Sequence, residues 1–278
     1  MIIPSITLGD GLTFPAITFG TYKLNGKAGV VSMKSAIEAG YHALDSAVNY
    51  ENEGALGEAI RQSGHKREHL RIASKLPGRH HHFDEAIVMI EESLYRARLD
   101  YFDLYYIHWP NPKQGLYVEA WKALIEAKKR GYVRSIAVCN FLPEHLMKLK
   151  EETGVLPSIN QIELHPYFPQ AEQRAFNKQH GIVTQSWSPL GRASDLLTNP
   201  LLEKIAEKHG KSVAQIVLRW HHQLDAIPIP KATHHKRQME NKDIFDFSLT
   251  DEDMKSIATL ARPDGRIKGQ DPATHEGA

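Results

Sequence analysis

The chain has 278 residues, of which 41% are hydrophobic and 24% charged, a composition that excludes an intrinsically disordered chain and allows a sizeable core. Its 34 lysine and arginine residues nearly balance 33 aspartate and glutamate residues. The chain therefore lacks the strong basic excess that is expected of a nucleic-acid-binding protein. We find no apolar run long enough to span a bilayer and no signal-peptide pattern, and we therefore expect a cytoplasmic protein. The single cysteine, Cys139, excludes an internal disulfide.

The first predicted element is a β-hairpin. Residues 6–14 contain two short strand-like runs around Gly9-Asp10-Gly11, and we expect this hairpin to cap the lower end of the fold. After it, one unit recurs: a brief apolar run typical of a strand, then a polar residue, then a segment with helical periodicity. The strand-like runs are 16–20, 41–45, 71–75, 104–108, 135–140, 159–163, 182–187 and 226–231.

The segments between these runs have helical patterns. Apolar residues recur at spacings of three and four in 86–99, and 117–131 ends in basic residues followed by Gly131, which is typical of a helix end. Two further helical stretches, 201–210 and 212–224, both precede the last strand-like run.

Alternation of strand and helix predicts a parallel sheet. Eight units in 278 residues average about 35 residues each, the size of a βα module. We therefore predict a single (β/α)₈ TIM barrel over residues 1–278, with an N-terminal hairpin cap and two extra helices near the C-terminus. The alternative is an open doubly wound sheet, which commonly carries G-x-G-x-x-G after its first strand, and this chain has no such string.

Most of the strand-like runs end in a residue capable of chemistry. In a (β/α)₈ barrel these C-terminal ends converge on one mouth, where the active site is built. A single polar residue can simply mark where a strand meets solvent, but that explanation is weaker for seven together. The residues at these ends are Asp45, Lys75, His108, Asn140, Glu163 with Gln161 two before it, Trp187 and Lys231.

Four residues near these ends form a set with a coherent mechanism: Asp45, Tyr50, Lys75 and His108. The ordinary pKa of tyrosine is ~10, and a lysine cation at about 4 Å contributes ~4 kcal/mol, which lowers that pKa by roughly three. We therefore expect Lys75 to bring the phenol of Tyr50 near neutrality, with Asp45 holding Lys75 and partly offsetting its effect. His108 would orient a substrate oxygen, and the predicted task is to protonate an oxygen where negative charge develops, as when a carbonyl receives a hydride.

These and further motifs resemble the aldo-keto reductase superfamily over essentially the whole chain. The likeness is greatest to the bacterial 2,5-diketo-D-gluconate reductases, and it implies a (β/α)₈ barrel, the cofactor NADPH and a catalytic tetrad of Asp45, Tyr50, Lys75 and His108. The motifs that carry it are YHALDSAVNYENE (41–53), SK (74–75), YYIHWPNP (105–112), SIAVCNF (135–141), NQIELHPYFPQ (160–170), SWSPL (186–190) and IPKATHHKRQMEN (229–241).

The resemblance also implies how NADPH is held. The family's Ser-Asn pair and Gln, which hold the nicotinamide carboxamide, match Cys139, Asn140 and Gln161, so a weak thiol donor replaces a hydroxyl. Trp187 would stack on the nicotinamide ring. In full, the implied cofactor contacts are Gly20, Thr21, Tyr22, Asp45, Cys139, Asn140, Gln161, Trp187, Ser188, Leu190, Lys231, Ala232, Thr233, Arg237, Glu240 and Asn241.

The implied preference for NADPH over NADH depends on the family pattern around the adenosine 2′-phosphate. Lys231 and Arg237 would pair with that phosphate, and Glu240 and Asn241 would contact adenine. Ala232 stands where the family usually has serine, so one hydroxyl donor is missing. Two cations beside a dianion outweigh one neutral hydrogen bond, so NADPH remains the expectation.

Substrate contacts are expected from residues around the tetrad. The loop 111–116 and the tail 262–278 would close the pocket. Segment 265–278 of this tail lacks apolar periodicity and is expected to be mobile. Pro77 stands where many relatives carry an aromatic residue, and this difference favours a cleft that is open to a polar, extended substrate. A sugar keto acid is the expected substrate, and small dicarbonyls are the second choice. The expected substrate contacts are Tyr22, Asn49, Tyr50, His108 and Trp109.

Other functions are weighed against the reductase. A lysine-dependent aldolase would use Lys75 as a Schiff-base nucleophile, which requires a neutral amine, and a non-catalytic NADPH-binding protein would not need an intact tetrad. Three adjacent histidines, 80–82, lack the spacing of a metal site, and we predict none. The expected partner is a small carbonyl substrate, without nucleic acid or membrane, and the expected state is a monomer.

Overall fold

The computed structural model describes residues 2–277, apart from the side chain of Ala193. Eight parallel strands follow one another in chain order around a barrel. They are β3 (Phe19–Gly20), β4 (Ala43–Asp45), β5 (Arg71–Leu76), β6 (Phe102–Ile107), β7 (Val133–Cys139), β8 (Ile159–Glu163), β9 (Val183–Trp187) and β10 (Ala226–Pro228), and they are preceded by a separate pair, β1 (Ser5–Thr7) and β2 (Thr13–Pro15).

Backbone hydrogen bonds join the first and last strands of the barrel. The N–H of Thr18 donates to the Pro228 carbonyl and the N–H of Gly20 to the Pro230 carbonyl, both at a distance of 3.0 Å. Because proline has no N–H, these two residues only accept across this seam, and the last strand ends at Pro228, earlier than the predicted 226–231. The predicted barrel is confirmed.

Ten α-helices lie within the described residues, in the alternation that the sequence predicts. Strand β9 is followed by two helices, α7 (Pro200–His209) and α8 (Val213–Gln223), which match the predicted stretches 201–210 and 212–224. Helix α8 packs on β10, and α7 packs on α10 (Asp251–Ala258), a helix that the sequence analysis did not predict. The helices are α1 (Gly26–Glu38), α2 (Glu53–Ser63), α3 (Phe83–Ala97), α4 (Tyr117–Lys129), α5 (Pro143–Thr153), α6 (Ala171–Gln179), α7 (Pro200–His209), α8 (Val213–Gln223), α9 (His235–Lys242) and α10 (Asp251–Ala258).

The local sequence accounts for the break between α7 and α8. Gly210 ends α7 with a left-handed φ of 61°, which glycine adopts without strain. Ser212 then begins α8: its Oγ accepts from the backbone N–H of Gln215 at 3.3 Å, and the Gln215 side chain accepts from the Ser212 N–H at 3.0 Å. This reciprocal pair satisfies two N–H groups at the helix start.

The barrel interior has a core of its own. Ala43, Ala73 and Ala137 are small residues facing inward, and they leave room for larger neighbours from other strands. At the lower end, Leu8 and Phe14 from the hairpin join this interior cluster. The predicted hairpin and its capping position are therefore confirmed.

Within residues 2–277, no helix combines the length and apolar character needed to cross a lipid bilayer.

Candidate active site

The barrel strands bring the four predicted tetrad residues to one end. Asp45 ends β4, Lys75 is the penultimate residue of β5, and His108 directly follows β6. Tyr50 ends a short helical turn, Val48–Tyr50, that follows β4. Because all these strands are parallel, their C-terminal ends open on the same mouth.

Lys75 and Asp45 form a buried ion pair. Lys75 is 0% exposed. Its Nζ donates to Asp45 Oδ1 and also to the Ser46 carbonyl, at a distance of 2.6 Å. Burial is the largest single influence and lowers the pKa of Lys75, but Asp45, Tyr50 and Cys139 together raise that pKa above its ordinary value. Lys75 is therefore a cation at neutral pH, which argues against the neutral amine that a Schiff-base aldolase requires.

Tyr50 lies against this cation. Lys75 Nζ is 5.0 Å from the centroid of the Tyr50 ring, and the ring of Tyr22 packs edge-on at 5.1 Å. Burial raises the pKa of Tyr50 to about 12, because it outweighs the lowering by Lys75, and Asp45 raises that pKa further. Our expectation of a near-neutral phenol is therefore wrong, since it counted the cation and omitted desolvation. Tyr50 keeps its proton at pH 7 and can act as a proton donor.

His108 is a neutral imidazole beside Tyr50, with the ring centroids 5.9 Å apart. Burial, followed by the charge of Lys75, lowers the pKa of His108 to about 3. Its backbone N–H donates to the Leu76 carbonyl at 3.0 Å, and its own carbonyl accepts from Asn140 Nδ2 at 3.1 Å. A neutral imidazole carries one N–H, which suits it to orient a substrate oxygen.

A layer of amides beneath the tetrad fixes Asp45. Gln161 Nε2 donates to Asp45 Oδ2 at 2.9 Å and to Gln185 Oε1 at 3.0 Å, and the Tyr106 hydroxyl also donates to Gln185 Oε1, at 2.5 Å. Gln161 thus supports the tetrad, a role that the sequence analysis missed while assigning it to the cofactor. Gln185 and Tyr106 were missed too, although each lies two residues before a mouth residue and so shares its inward face.

From the opposite side, Thr21 holds the backbone of Asp45. Both its N–H, at 3.0 Å, and its Oγ1, at 2.9 Å, donate to the Asp45 carbonyl. Gly20 pairs with Asp45 across β3 and β4, and a Cβ at Gly20 would lie 3.1 Å from Ile229 Cγ2. These two predicted cofactor residues therefore also position the tetrad.

The predicted nicotinamide residues lie beside the tetrad at the ends of β7 and β9. Asn140 adopts a left-handed φ of 63°, and its Oδ1 accepts from Trp187 Nε1 at 2.8 Å, which fixes the half-exposed indole. Cys139 is buried in the barrel interior, and burial raises the pKa of its thiol well above the ordinary value. An oriented indole at the edge of the mouth fits a stacked nicotinamide ring.

The loop after Trp187 contains a cation that the sequence analysis missed. Arg192 Nε donates to Ser188 Oγ at 3.1 Å, and its guanidinium carbon lies 5.7 Å from the Trp187 ring and 6.0 Å from the Tyr22 ring. Leu190, predicted as a cofactor contact, packs partly buried against the core. A lone arginine in a loop carries no periodic signal, so only the fold reveals its position.

The predicted phosphate-binding segment follows β10. Lys231 and Arg237 are exposed, and within residues 2–277 neither has a carboxylate within 4.0 Å, so both fit a phosphate dianion. Ala232 is buried, and its carbonyl accepts from Gln238 Nε2 at 3.1 Å. Of the remaining predicted residues, Thr233 is exposed, Glu240 half-buried and Asn241 buried.

The predicted substrate residues outside the tetrad lie beside Tyr50 or against the C-terminal tail. Tyr22 is 44% exposed, and Asn49 Oδ1 accepts from Arg79 Nη1 at 2.6 Å. The ring centroid of Trp109 lies 4.4 Å from that of His275 in the C-terminal tail. Tyr22, Trp109 and the C-terminal tail therefore lie close to the tetrad.

The tail is docked, where the sequence led us to expect mobility. Asn111 Nδ2 donates to the Gly277 carbonyl at 2.7 Å, and the Gly277 N–H donates to Asn111 Oδ1 at 3.1 Å. The backbone N–H of Lys113 also donates to Glu276 Oε1 at 2.8 Å. The loop 111–116 and the tail therefore meet at the rim, as their predicted role in closing the pocket requires.

The side chains of the three adjacent histidines lie in different surroundings. His80 faces Glu85 and His82 faces Glu119, each across 3.6 Å, while His81 is buried. Among residues 2–277, no group of three or more metal-ligating side chains is arranged to hold an ion.

A cavity of about 560 Å³ lies at the opposite end of the barrel, lined by Asp10, Lys128 and His180 among others. It contains no tetrad residue. Asp10 and Lys128 already pair with each other at 2.7 Å. The candidate active site is therefore the mouth, where the tetrad residues lie, and not this cavity.

Comparisons with known proteins identify similar sequences and structures. The family model described as "Aldo/keto reductase family" matches residues 16–262. The chain is 51% identical to 2,5-diketo-D-gluconic acid reductase B of Corynebacterium sp. (strain SHS752001), over 99% of this chain and 98% of that protein. It is 40% identical to methylglyoxal reductase DkgA of Yersinia pestis, over 97% and 96%. The crystal structure of a Gox0644 mutant in complex with NADPH superimposes with a TM-score of 0.94, at 41% identity and 99% coverage of both chains.

Proposed function

Because the chain belongs to the aldo/keto reductase family, we propose that it reduces an aldehyde or ketone to an alcohol with NADPH as hydride donor and Tyr50 as proton donor. The observation that carries this proposal is the meeting of a protonated phenol, a buried lysine cation and a neutral imidazole at one mouth. This combination stabilises and protonates an oxygen that becomes negatively charged.

The sequence-based prediction of NADPH agrees with the family and with a solved relative that contains NADPH. Three features of this chain support the same cofactor: the indole of Trp187 held by Asn140, and the exposed cations Lys231 and Arg237. NADPH, when bound, supplies a hydride to the carbonyl carbon. Cys139 and Gln161 are weaker candidates, because one is a buried thiol and the amide of the other donates to Asp45 and Gln185.

The protein's own side chains supply the remaining chemistry. The N–H of His108 donates to the carbonyl oxygen and orients it between the imidazole and the phenol. As negative charge develops on that oxygen, Tyr50 Oη transfers its proton to it, which completes the alcohol and leaves a phenolate. The Lys75 cation stabilises this phenolate, and Asp45 keeps Lys75 charged and in place.

For the substrate, we propose sugar keto acids resembling 2,5-diketo-D-gluconate, with small dicarbonyls such as methylglyoxal as the second class. The named relatives act on one or the other, according to their names. Pro77 supports the extended substrate, because a proline at this position occupies less of the cleft than an aromatic side chain would.

A direct test follows the loss of NADPH absorbance against a panel of sugar keto acids, small dicarbonyls and aryl aldehydes. We expect oxidation of NADPH with keto acids or dicarbonyls and formation of the matching alcohol. Binding of NADPH without reduction of any carbonyl would favour a non-catalytic NADPH-binding protein. Trapping of a substrate on Lys75 by borohydride would instead favour the aldolase.

A further inference from the structure

Arg79 lies on the rim of the mouth, on the side of Tyr50. It is the central residue of a short helical turn, Gly78–His80, that begins two residues after β5. Three residues separate it from Lys75, so the strand that supplies the cation of the tetrad also positions Arg79 at the pocket entrance.

A hydrogen bond ties the Arg79 guanidinium to the residue before the catalytic phenol. Arg79 Nη1 donates to Asn49 Oδ1 at 2.6 Å, and Asn49 directly precedes Tyr50 in the turn Val48–Tyr50. The guanidinium is therefore held next to the segment that presents the proton donor.

The turn that carries Arg79 is packed tightly against the rim. A Cβ at Gly78 would lie 2.1 Å from Asn111 Nδ2 and 2.6 Å from the Gly277 carbonyl. Only glycine permits this approach, so the loop after β6 and the C-terminal tail fix the position of the Arg79 backbone.

The charge of Arg79 is uncompensated in the described part of the chain. Arg79 is exposed, and within residues 2–277 no carboxylate lies within 4.0 Å of it. Some other arginines are paired, for example Arg61 with Glu58 at 2.5 Å and Arg96 with Glu53 at 2.7 Å. A guanidinium has five N–H donors in a planar fork that matches a carboxylate, and the bond to Asn49 uses one of them.

We propose that Arg79, positioned by Asn49, binds the carboxylate of the substrate and selects oxo acids over neutral carbonyl compounds. This inference rests on the proposed reductase function and narrows it. The reacting carbonyl lies between Tyr50 and His108, while the carboxylate reaches the rim, so the preferred substrate is an extended chain with the two groups several carbons apart. Arg79 thereby contributes binding and specificity, and takes no part in the proton or hydride transfer.

The test compares D-glucuronate with D-glucuronamide, which differ only in the charged group. In the wild-type protein we expect a higher kcat/KM for the acid. Arg79→Met should lower the acid-to-amide ratio of kcat/KM by about tenfold, or ~1.4 kcal/mol, mainly through the KM of the acid. Arg79→Lys should retain part of the preference, because it keeps the charge without the planar fork. Raised ionic strength should weaken the wild-type preference, since the site is exposed.

Arg61→Met is the matched control, because it removes an exposed guanidinium from the outer surface of α2, and it should leave the ratio unchanged. If Arg79→Met does not fold, Arg79→Gln, which can still donate to Asn49, decides the same point. An unchanged ratio in a folded Arg79 variant that still reduces methylglyoxal would overturn this inference alone. Failure of the wild-type protein to reduce any carbonyl, methylglyoxal included, would overturn the proposed function and this inference with it.

Discussion

Replacing Asp45 by asparagine tests the electrostatic core of the site. The carboxylate accepts from Lys75 through Oδ1 and from Gln161 through Oδ2. An asparagine has one oxygen and one NH₂ group, so in either orientation one of these two donors would face another donor. In both orientations Lys75, which is 0% exposed, would lose the negative charge that compensates its own, and in one of them the Ser46 carbonyl would be its only remaining hydrogen-bond acceptor. An uncompensated buried charge of this kind costs about 3–5 kcal/mol.

We therefore expect Asp45→Asn to lower the free energy of unfolding by about 3–5 kcal/mol at pH 7, measured by urea titration. In the wild-type protein the pKa of Lys75 is raised, so the stability that the pair contributes is present below the unfolded pKa of ~10.4 and is lost only as pH rises through the higher folded pKa. In the variant, burial without the carboxylate lowers that pKa. The deficit should then shrink between pH 7 and about pH 9.5, as Lys75 becomes neutral in the folded state.

Two further variants make this measurement specific. Asp225→Asn removes one partner of an exposed pair with Lys178, whose side chains are 74% and 78% exposed, and it should cost at most about 1 kcal/mol. The double variant Asp45→Asn, Lys75→Met removes both buried charges and should be more stable than Asp45→Asn alone. A deficit for Asp45→Asn below about 1 kcal/mol at pH 7, or one that does not change with pH, would refute the assignment of a buried charge pair.

Three shorter predictions follow from other parts of the structure. Because the pKa of His108 is about 3 and that of Tyr50 about 12, kcat/KM for carbonyl reduction should be flat from about pH 5 to about pH 9, and an inflection inside that range would assign the proton donor to another group. Arg237→Met should raise the dissociation constant of NADPH, followed by tryptophan fluorescence, by about tenfold and that of NADH much less; equal effects on both would remove Arg237 from the 2′-phosphate site. Phe14→Ala should cost about 3–5 kcal/mol in urea unfolding, whereas a loss below about 1 kcal/mol would show that the hairpin does not plug the barrel.

The fold was largely predictable because the barrel repeats one physical unit. Each strand buries both faces and reads as a short apolar run, and each helix shows its own period. Strand ends were less predictable: Pro228 and Pro230 accept hydrogen bonds across the seam but cannot donate, so β10 ends earlier than its apolar composition indicates.

The tetrad was predictable because the barrel brings strand ends together, whatever their separation along the chain. The pKa of Tyr50 was not, because its direction depends on how far burial outweighs a nearby cation, and burial is a property of the folded chain. The docked tail was also missed. Its attachment at Asn111 and Gly277 uses backbone and amide groups, which leave no apolar period in the sequence.

The most direct test of the central claim is the Tyr50→Phe variant, measured for both turnover and cofactor binding. We predict that kcat for carbonyl reduction falls by about 10²- to 10⁴-fold, while the dissociation constant of NADPH, read from tryptophan fluorescence, stays within about twofold of the wild-type value, since the phenol hydroxyl donates a proton and does not hold the cofactor. Near-normal kcat in the folded variant would contradict the assignment of Tyr50 as the acid and, with it, the reaction proposed for this mouth.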